Sequence, residues 1–151
     1  MRMFLGTVLL TVLLGCTPEE PVVTVPVATQ GELGALLNAE RTARGLPPLA
    51  RDARLVAAAQ AHATDMARTG RFSHTGSGGS QVSDRVQAQG FGYCYVAENI
   101  AQGQPSAAAA MASWMASPGH RRNNLSREAR AFGAARGPGN HWVLVFGRDG
   151  C

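Results

Sequence analysis

The chain has no lysine. All fourteen of its basic residues are arginine, set against ten acids for a net charge of +4 over 151 residues. An arginine-only set follows from GC-rich coding and identifies no function by itself. Arg41, Arg44, Arg51, Arg54, Arg68, Arg71 and Arg85 are scattered; only Arg121 and Arg122, with Arg127 and Arg130, form a cluster. No aromatic platform interleaves with that cluster, which argues against nucleic acid as a partner. Attraction to anionic envelope polymers or lipid head groups is the easier physical consequence. Long hydrophobic runs are also missing. The longest, residues 3–14, is twelve residues and too short to cross a bilayer as a helix. No Walker pattern follows the glycine-rich stretch at 75–80, which reads as a mobile rim rather than a phosphate cradle. No strained nucleophile elbow surrounds Ser73 or Ser117, and no oxyanion hole is evident, so a serine-hydrolase reading has little support.

What is present organises the chain into a leader, a tether and one domain. Arg2 and the apolar run 3–14 read as a signal peptide over residues 1–15, ending in Leu13, Leu14, Gly15 and Cys16. That ending looks like a bacterial lipobox, which implies cleavage before Cys16 and acylation of its thiol and new amino group. Multiple acyl chains on one residue give lasting membrane attachment. Residues 16–29 contain Pro18, Pro21 and Pro26 and no helical period, and read as an extended tether. Thr17 after the cysteine, where aspartate would signal otherwise, favours the outer membrane of a Gram-negative cell. The domain is expected over 30–151.

Within it, Leu33, Leu36, Leu37 and Glu40 recur at helical spacing over 31–44, with Gly45 as the stop. Pro47 and Pro48 impose a turn. Asp52 can cap a helix running to Thr69, with Gly70 after it. Leu55, Ala59, His62 and Met66 fall on one face of that helix, which makes His62 a core histidine with one hydrogen bond. Ser80 is expected to cap a short helix at 81–89, with Val82 and Val86 inward and Gly90 closing it. Residues 91–96 alternate as a strand, and Glu98 follows where that strand leaves the core; a carboxylate beside buried apolar residues needs a partner. An alanine-rich helix is expected over 105–115. Ser117 can cap the next helix, with Pro118 at its first position, which places His120 in the first turn. The positive end of the helix dipole favours neutral imidazole there, keeping a lone pair for a metal or a proton. Residues 131–136 and 141–146 read as a hairpin across the Gly-Pro-Gly-Asn turn at 137–140, with His141 at the strand edge.

Four motifs in order carry a resemblance: Phe72-Ser73-His74, then Ala97-Glu98-Asn99-Ile100-Ala101, then Trp-x-x-Ser-Pro-Gly-His-Arg at 114–121, then a final apolar strand with Trp142. Together they resemble the CAP superfamily of cysteine-rich secretory, antigen-five and pathogenesis-related proteins, over about residues 30–146. The resemblance implies an α+β fold, a three-layer α-β-α sandwich with a small, mostly antiparallel sheet. It also implies a cleft lined by two histidines and two acids, matched here by His74, Glu98 and His120. The second acid falls where this chain has Ser117, and the glycine usual before the first acid is Ala97. Two neutral imidazoles can bind Zn²⁺ or another divalent metal weakly, with Glu98 as third ligand or as the group that orients a histidine. The alternative is that these residues only bond one another and lock the loops. With Cys16 acylated, Cys94 and Cys151 remain as an even pair in an oxidising location, either bridged or as free thiols. The expected function is that of a monomeric binding module, lipid-anchored to the cell envelope, whose cleft takes a lipid, an envelope polymer or a divalent metal. The competing expectation is a metal-dependent hydrolase acting on the envelope.

Overall fold

The computed structural model describes residues 27–150, with side chains from Gly31 onward. The leader, Cys16, the tether up to Pro26 and Cys151 lie outside the described residues. Helix α1 runs over Val27–Thr42, so the last three residues expected in the tether are helical. Gly31 and Gly34 do not break it. At Gly34 the helix is seated on the Phe132 ring, in space that a Cβ would overlap, so packing overrides the weak helix propensity of glycine.

A two-residue strand β1 (Ala50–Arg51) leads into helix α2 (Ala53–Thr69). Asp52 accepts from the Arg54 N–H at one end of α2, and Gly70 in the left-handed region ends it, as the sequence indicates. Helix α3 (Val82–Ala88) departs from expectation at its start. The cap is Gln81, not Ser80, because Asp84 three residues on accepts from the Gln81 N–H at 2.8 Å. Strand β2 is Tyr93–Gln102, ten residues rather than six. Helix α4 (Ala107–Ala116) begins one residue after Ser106, whose hydroxyl accepts from the Ala109 N–H. Helix α5 (Pro118–Asn124) has Ser117 as its cap residue, although that hydroxyl makes no capping bond. The expected hairpin is present as β3 (Ala131–Gly137) and β4 (His141–Asp149). Its turn needs two successive left-handed residues, Gly139 at φ 68° and Asn140 at φ 58°, and these are the residue types that tolerate that region.

The sheet order is β1-β3-β4-β2, with β1 parallel to β3 and the other pairs antiparallel. Alternation along the strands sends side chains to two helical layers. Phe132, Trp142, Leu144 and Phe146 pack with Leu33 and Leu37 of α1 and Met111 and Trp114 of α4. Ala135, Val143 and Val145 pack with Leu55, Ala59 and Met66 of α2 and Val86 of α3. The fold is therefore an α+β, three-layer α-β-α sandwich. Full burial of each large apolar side chain contributes about 1.5–3 kcal/mol, so these two clusters supply the driving force. Layer spacing on the α2 side is set by glycine: a Cβ on Gly133 would collide with the Leu55 and Val56 backbone, and one on Gly137 with the Ala63 carbonyl. Among the described residues no helix is long and apolar enough to cross a membrane.

Candidate functional site

The longer β2 corrects the expected place of Glu98. It does not follow a strand end; it lies within β2, opposite Val145 of β4. The reason is that the Ala-Glu-Asn-Ile-Ala stretch continues the ladder, and its two polar residues find partners on opposite faces. Glu98 faces the α2–α3 layer. It is only 7% exposed, and both of its carboxylate oxygens are engaged. Oε1 lies 2.9 Å from His74 Nδ1, and Oε2 accepts from the Arg85 guanidinium at 2.8 Å. Arg85, itself buried on α3, also donates to the Ser80 and His74 carbonyls at 2.8 and 3.1 Å. One arginine thus ties together the carboxylate, the loop carrying His74 and the entry to α3.

His62 lies behind Glu98, buried on the core face of α2 as expected. Its Nε2 is 3.7 Å from Glu98 Oε1, an electrostatic contact beyond hydrogen-bonding reach. Burial dominates and pushes the His62 pKa down, with the Glu98 charge opposing it.

His74 projects outward, its side chain 55% exposed. With Glu98 ionised, the His74 Nδ1–H donates to it, which leaves the Nε2 lone pair toward solvent. The loop beyond is anchored by Asp65 near the end of α2. Its carboxylate accepts from the Ser77 hydroxyl at 2.5 Å and the Ser77 N–H at 2.8 Å, and these bonds hold its pKa down at about 2.

Asn99, next to Glu98, faces the α4–α5 layer. Its amide N–H₂ donates to the His120 carbonyl at 3.0 Å and to Asn124 Oδ1 at 2.9 Å, while its Oδ1 accepts from Asn123 at 2.9 Å. This network docks α5 on β2 and so places His120. Trp114 braces the same junction by donating to the Ile100 carbonyl at 3.0 Å. Burial lowers the His120 pKa, and the charge of nearby His74 lowers it further, both favouring the neutral ring. His74 and Glu98 are therefore in direct contact, and His120 stands close enough to His74 to feel its charge. Ser117 joins α4 to α5, three residues before His120, and its side chain makes no capping bond. His141 is buried at the start of β4, with Nδ1 2.6 Å from the Pro138 carbonyl, in a turn-stabilising role.

Two grooves flank α5. One, of about 300 Å³, contains His120 and Phe72. The other, of about 700 Å³, is lined by Tyr95, Met115, Pro118, Arg121, Arg122 and Leu125, and so receives half of the arginine cluster. The sequence reading missed Arg85, although Val82, Arg85 and Val86 share one helical face. It also missed Arg41, wholly buried, whose guanidinium donates to the Asn124 and Ser126 carbonyls at 2.9 Å each and pins α1 to the end of α5.

A three-layer sandwich with a histidine–glutamate pair beside α5 defines a class. The model of the cysteine-rich secretory protein (CAP) family matches residues 35–146, and the chain belongs to that family. The Bacillus subtilis protein YkwD is 37% identical over 112 residues, 74% of this chain and 44% of that protein, so the chain spans less than half of this relative's length. An extracellular SCP-domain protein of Bacillus anthracis superposes with TM-score 0.77 at 29% identity, covering 81% of this chain and 41% of that one. An outer surface protein of Borrelia burgdorferi gives TM-score 0.72 at 21% identity, covering 80% and 92%; at that identity it shows the fold alone.

Removing the Glu98 carboxylate would leave the Arg85 guanidinium buried without a counter-charge. We expect Glu98→Ala to destabilise the fold by about 3–5 kcal/mol in urea unfolding, and Glu98→Gln, which keeps an acceptor, to cost clearly less. Equal, small losses for both would show that the ion pair does not hold the site.

Proposed function

We propose that this protein is an envelope-exposed CAP module that binds its ligand without turning it over. The observation that supports this reading is the state of Glu98. It is the one acid of the constellation, and both its oxygens are already committed to His74 and Arg85. Ser117 stands where a second acid would be. No second carboxylate stands beside it to share acid–base work, and proton transfer is left to the imidazoles alone. What remains is an exposed imidazole, His74, and a half-buried one, His120.

That donor set fits a weak divalent-metal site. His74 through Nε2 and His120 would hold the ion, with Glu98 fixing the His74 tautomer from behind. Among the described residues no group of three or more His, Cys, Asp or Glu side chains is placed to hold a metal, so the proposed site rests on the two imidazoles alone. A bound divalent ion would supply a Lewis-acidic attachment point for an oxygen or nitrogen of the ligand. Extracytoplasmic placement is supported by the extracellular SCP-domain protein of Bacillus anthracis. The lipid anchor at Cys16 and the Cys94–Cys151 disulfide belong to the same proposal. The disulfide is favoured by register, since Tyr93 beside Cys94 pairs with Asp149, two residues from Cys151.

Calorimetric titration with zinc should give micromolar or weaker binding that is lost in His74→Ala and in His120→Ala, with melting temperatures preserved. Absence of heat with the native protein would end the metal part of the reading. Chelator-sensitive turnover of envelope peptides or glycans would replace the binding module with the hydrolase. Intact mass of the membrane-extracted protein should show a chain starting at Cys16 with acyl groups, and no free thiol before reduction. A start elsewhere, or two free thiols, contradicts the anchor or the disulfide respectively.

A further inference from the structure

The larger groove beside α5 takes no part in the imidazole site, and its lining has two characters. Half-buried Tyr95, Met115 and Leu125 give it apolar surface, while Arg121 and Arg122 line it and stand exposed. Neither arginine enters an ion pair among the described residues, whereas Arg44, Arg54, Arg68, Arg85 and Arg148 each meet a carboxylate. Two adjacent guanidinium groups without a counter-charge, set beside apolar surface, favour an occupant that brings acids and apolar groups together.

The chain carries such a segment itself. Residues 17–26 read Thr-Pro-Glu-Glu-Pro-Val-Val-Thr-Val-Pro, and Glu19 and Glu20 are its only charges. The two acids are adjacent, as the two arginines are, and Pro21, Val22 and Val23 follow them directly. Prolines preset an extended left-handed backbone, the form in which proline-rich segments dock on aromatic-lined grooves. The length also fits. Arg41, near the end of α1, donates to the Ser126 carbonyl, and Ser126 lines the groove, so the groove lies at the C-terminal end of α1. From Val27 to Arg41 the helix spans about 21 Å, at about 1.5 Å per residue. From Glu20 to Val27 the extended chain spans about 22 Å, at about 3.1 Å per residue. Doubling back along α1 brings the acids to the arginines, whose long side chains make up the length used in the reversal. Attachment to the same chain supplies an effective concentration of about millimolar, so that even a weak contact is occupied.

We propose that residues 17–26 fold back on the domain and occupy this groove as a strap. Glu19 and Glu20 pair with Arg121 and Arg122, and Pro21, Val22 and Val23 cover Tyr95, Met115 and Leu125. An anionic polymer would leave the apolar surface uncovered, and an apolar chain would leave the arginines unpaired. A free acidic amphiphile meets both demands but lacks the advantage of attachment. The strap closes the larger groove, leaves the smaller one with His120 open, and fixes the orientation of the domain relative to Cys16. It needs neither the metal nor acylation.

The test uses the full chain in a neutral maltoside detergent, with isotope-labelled valine, methionine and leucine methyl groups. Nuclear Overhauser contacts from Val22 or Val23 to Met115 and Leu125 are expected. They should weaken about twofold between about 0.05 and 0.5 M salt, because the attraction between exposed charges is screened. Glu19→Arg with Glu20→Arg should abolish them, and adding Arg121→Glu and Arg122→Glu to that variant should restore them. Arg121 and Arg122 are exposed, so the methyl signals of the core should stay in place throughout. Absence of the valine contacts in the native chain, their survival in Glu19→Arg with Glu20→Arg, or detergent contacts to Met115 and Leu125 in their stead overturns the proposal. Contacts found only between differently labelled copies overturn it as well, since the segment would then belong to a second molecule.

Discussion

Two adjacent polar residues in the middle of one strand hold the site together. Glu98 and Asn99 occupy the interior of β2, where alternation sends one side chain to each helical layer. Glu98 meets Arg85, His74 and His62 on the α2–α3 side. Asn99 meets His120, Asn123 and Asn124 on the α5 side. The loop with His74 and the helix with His120 share no chain continuity, and they reach a common edge of the sheet because each is bonded to its own member of this pair. A buried carboxylate is costly unless fully satisfied, and the cost makes the arrangement specific. Both oxygens of the buried carboxylate need partners, and Arg85 and His74 supply them, so the geometry of the pair follows from burial itself.

The surrounding packing keeps that arrangement rigid. Gly133 and Gly137 let α2 lie directly on β3, so the helix that carries His62 and Asp65 has one depth available to it. Arg41 does the equivalent for the other layer, buried and bonded to carbonyls at the end of α5. Its burial lowers its pKa, and no carboxylate compensates it; the backbone dipoles at Pro47, Asn124 and Ser126 are its counterparts. Both devices fix helices against the sheet rather than making contact with a ligand. His74 and His120 therefore sit on a framework whose helices are fixed against the sheet.

Much of this was legible in the residues. Asp52 and Gly70 bounded α2, the Gly-Pro-Gly-Asn turn gave the hairpin, and Pro118 after Ser117 placed His120 in a first turn. The family motifs grouped His74, Glu98 and His120. What sequence could not show was partnership at a distance. Glu98 and Asn99 interrupt an apolar pattern, so β2 read as ending before them; only the arrival of Arg85 and of α5 from elsewhere in the chain makes a buried polar pair acceptable. For the same reason Arg85 and Arg41 read as solvated charges.

The central claim is that a buried, ionised Glu98 fixes the tautomer of an exposed histidine. Nitrogen-15 spectra of the imidazoles test it most directly, since they distinguish protonated from bare ring nitrogens. For the neutral ring the account predicts an Nδ1–H form, with Nε2 unprotonated and available, and conversion to averaged tautomers in Glu98→Gln. A native His74 that already averages between tautomers, or that carries its proton on Nε2, would contradict it.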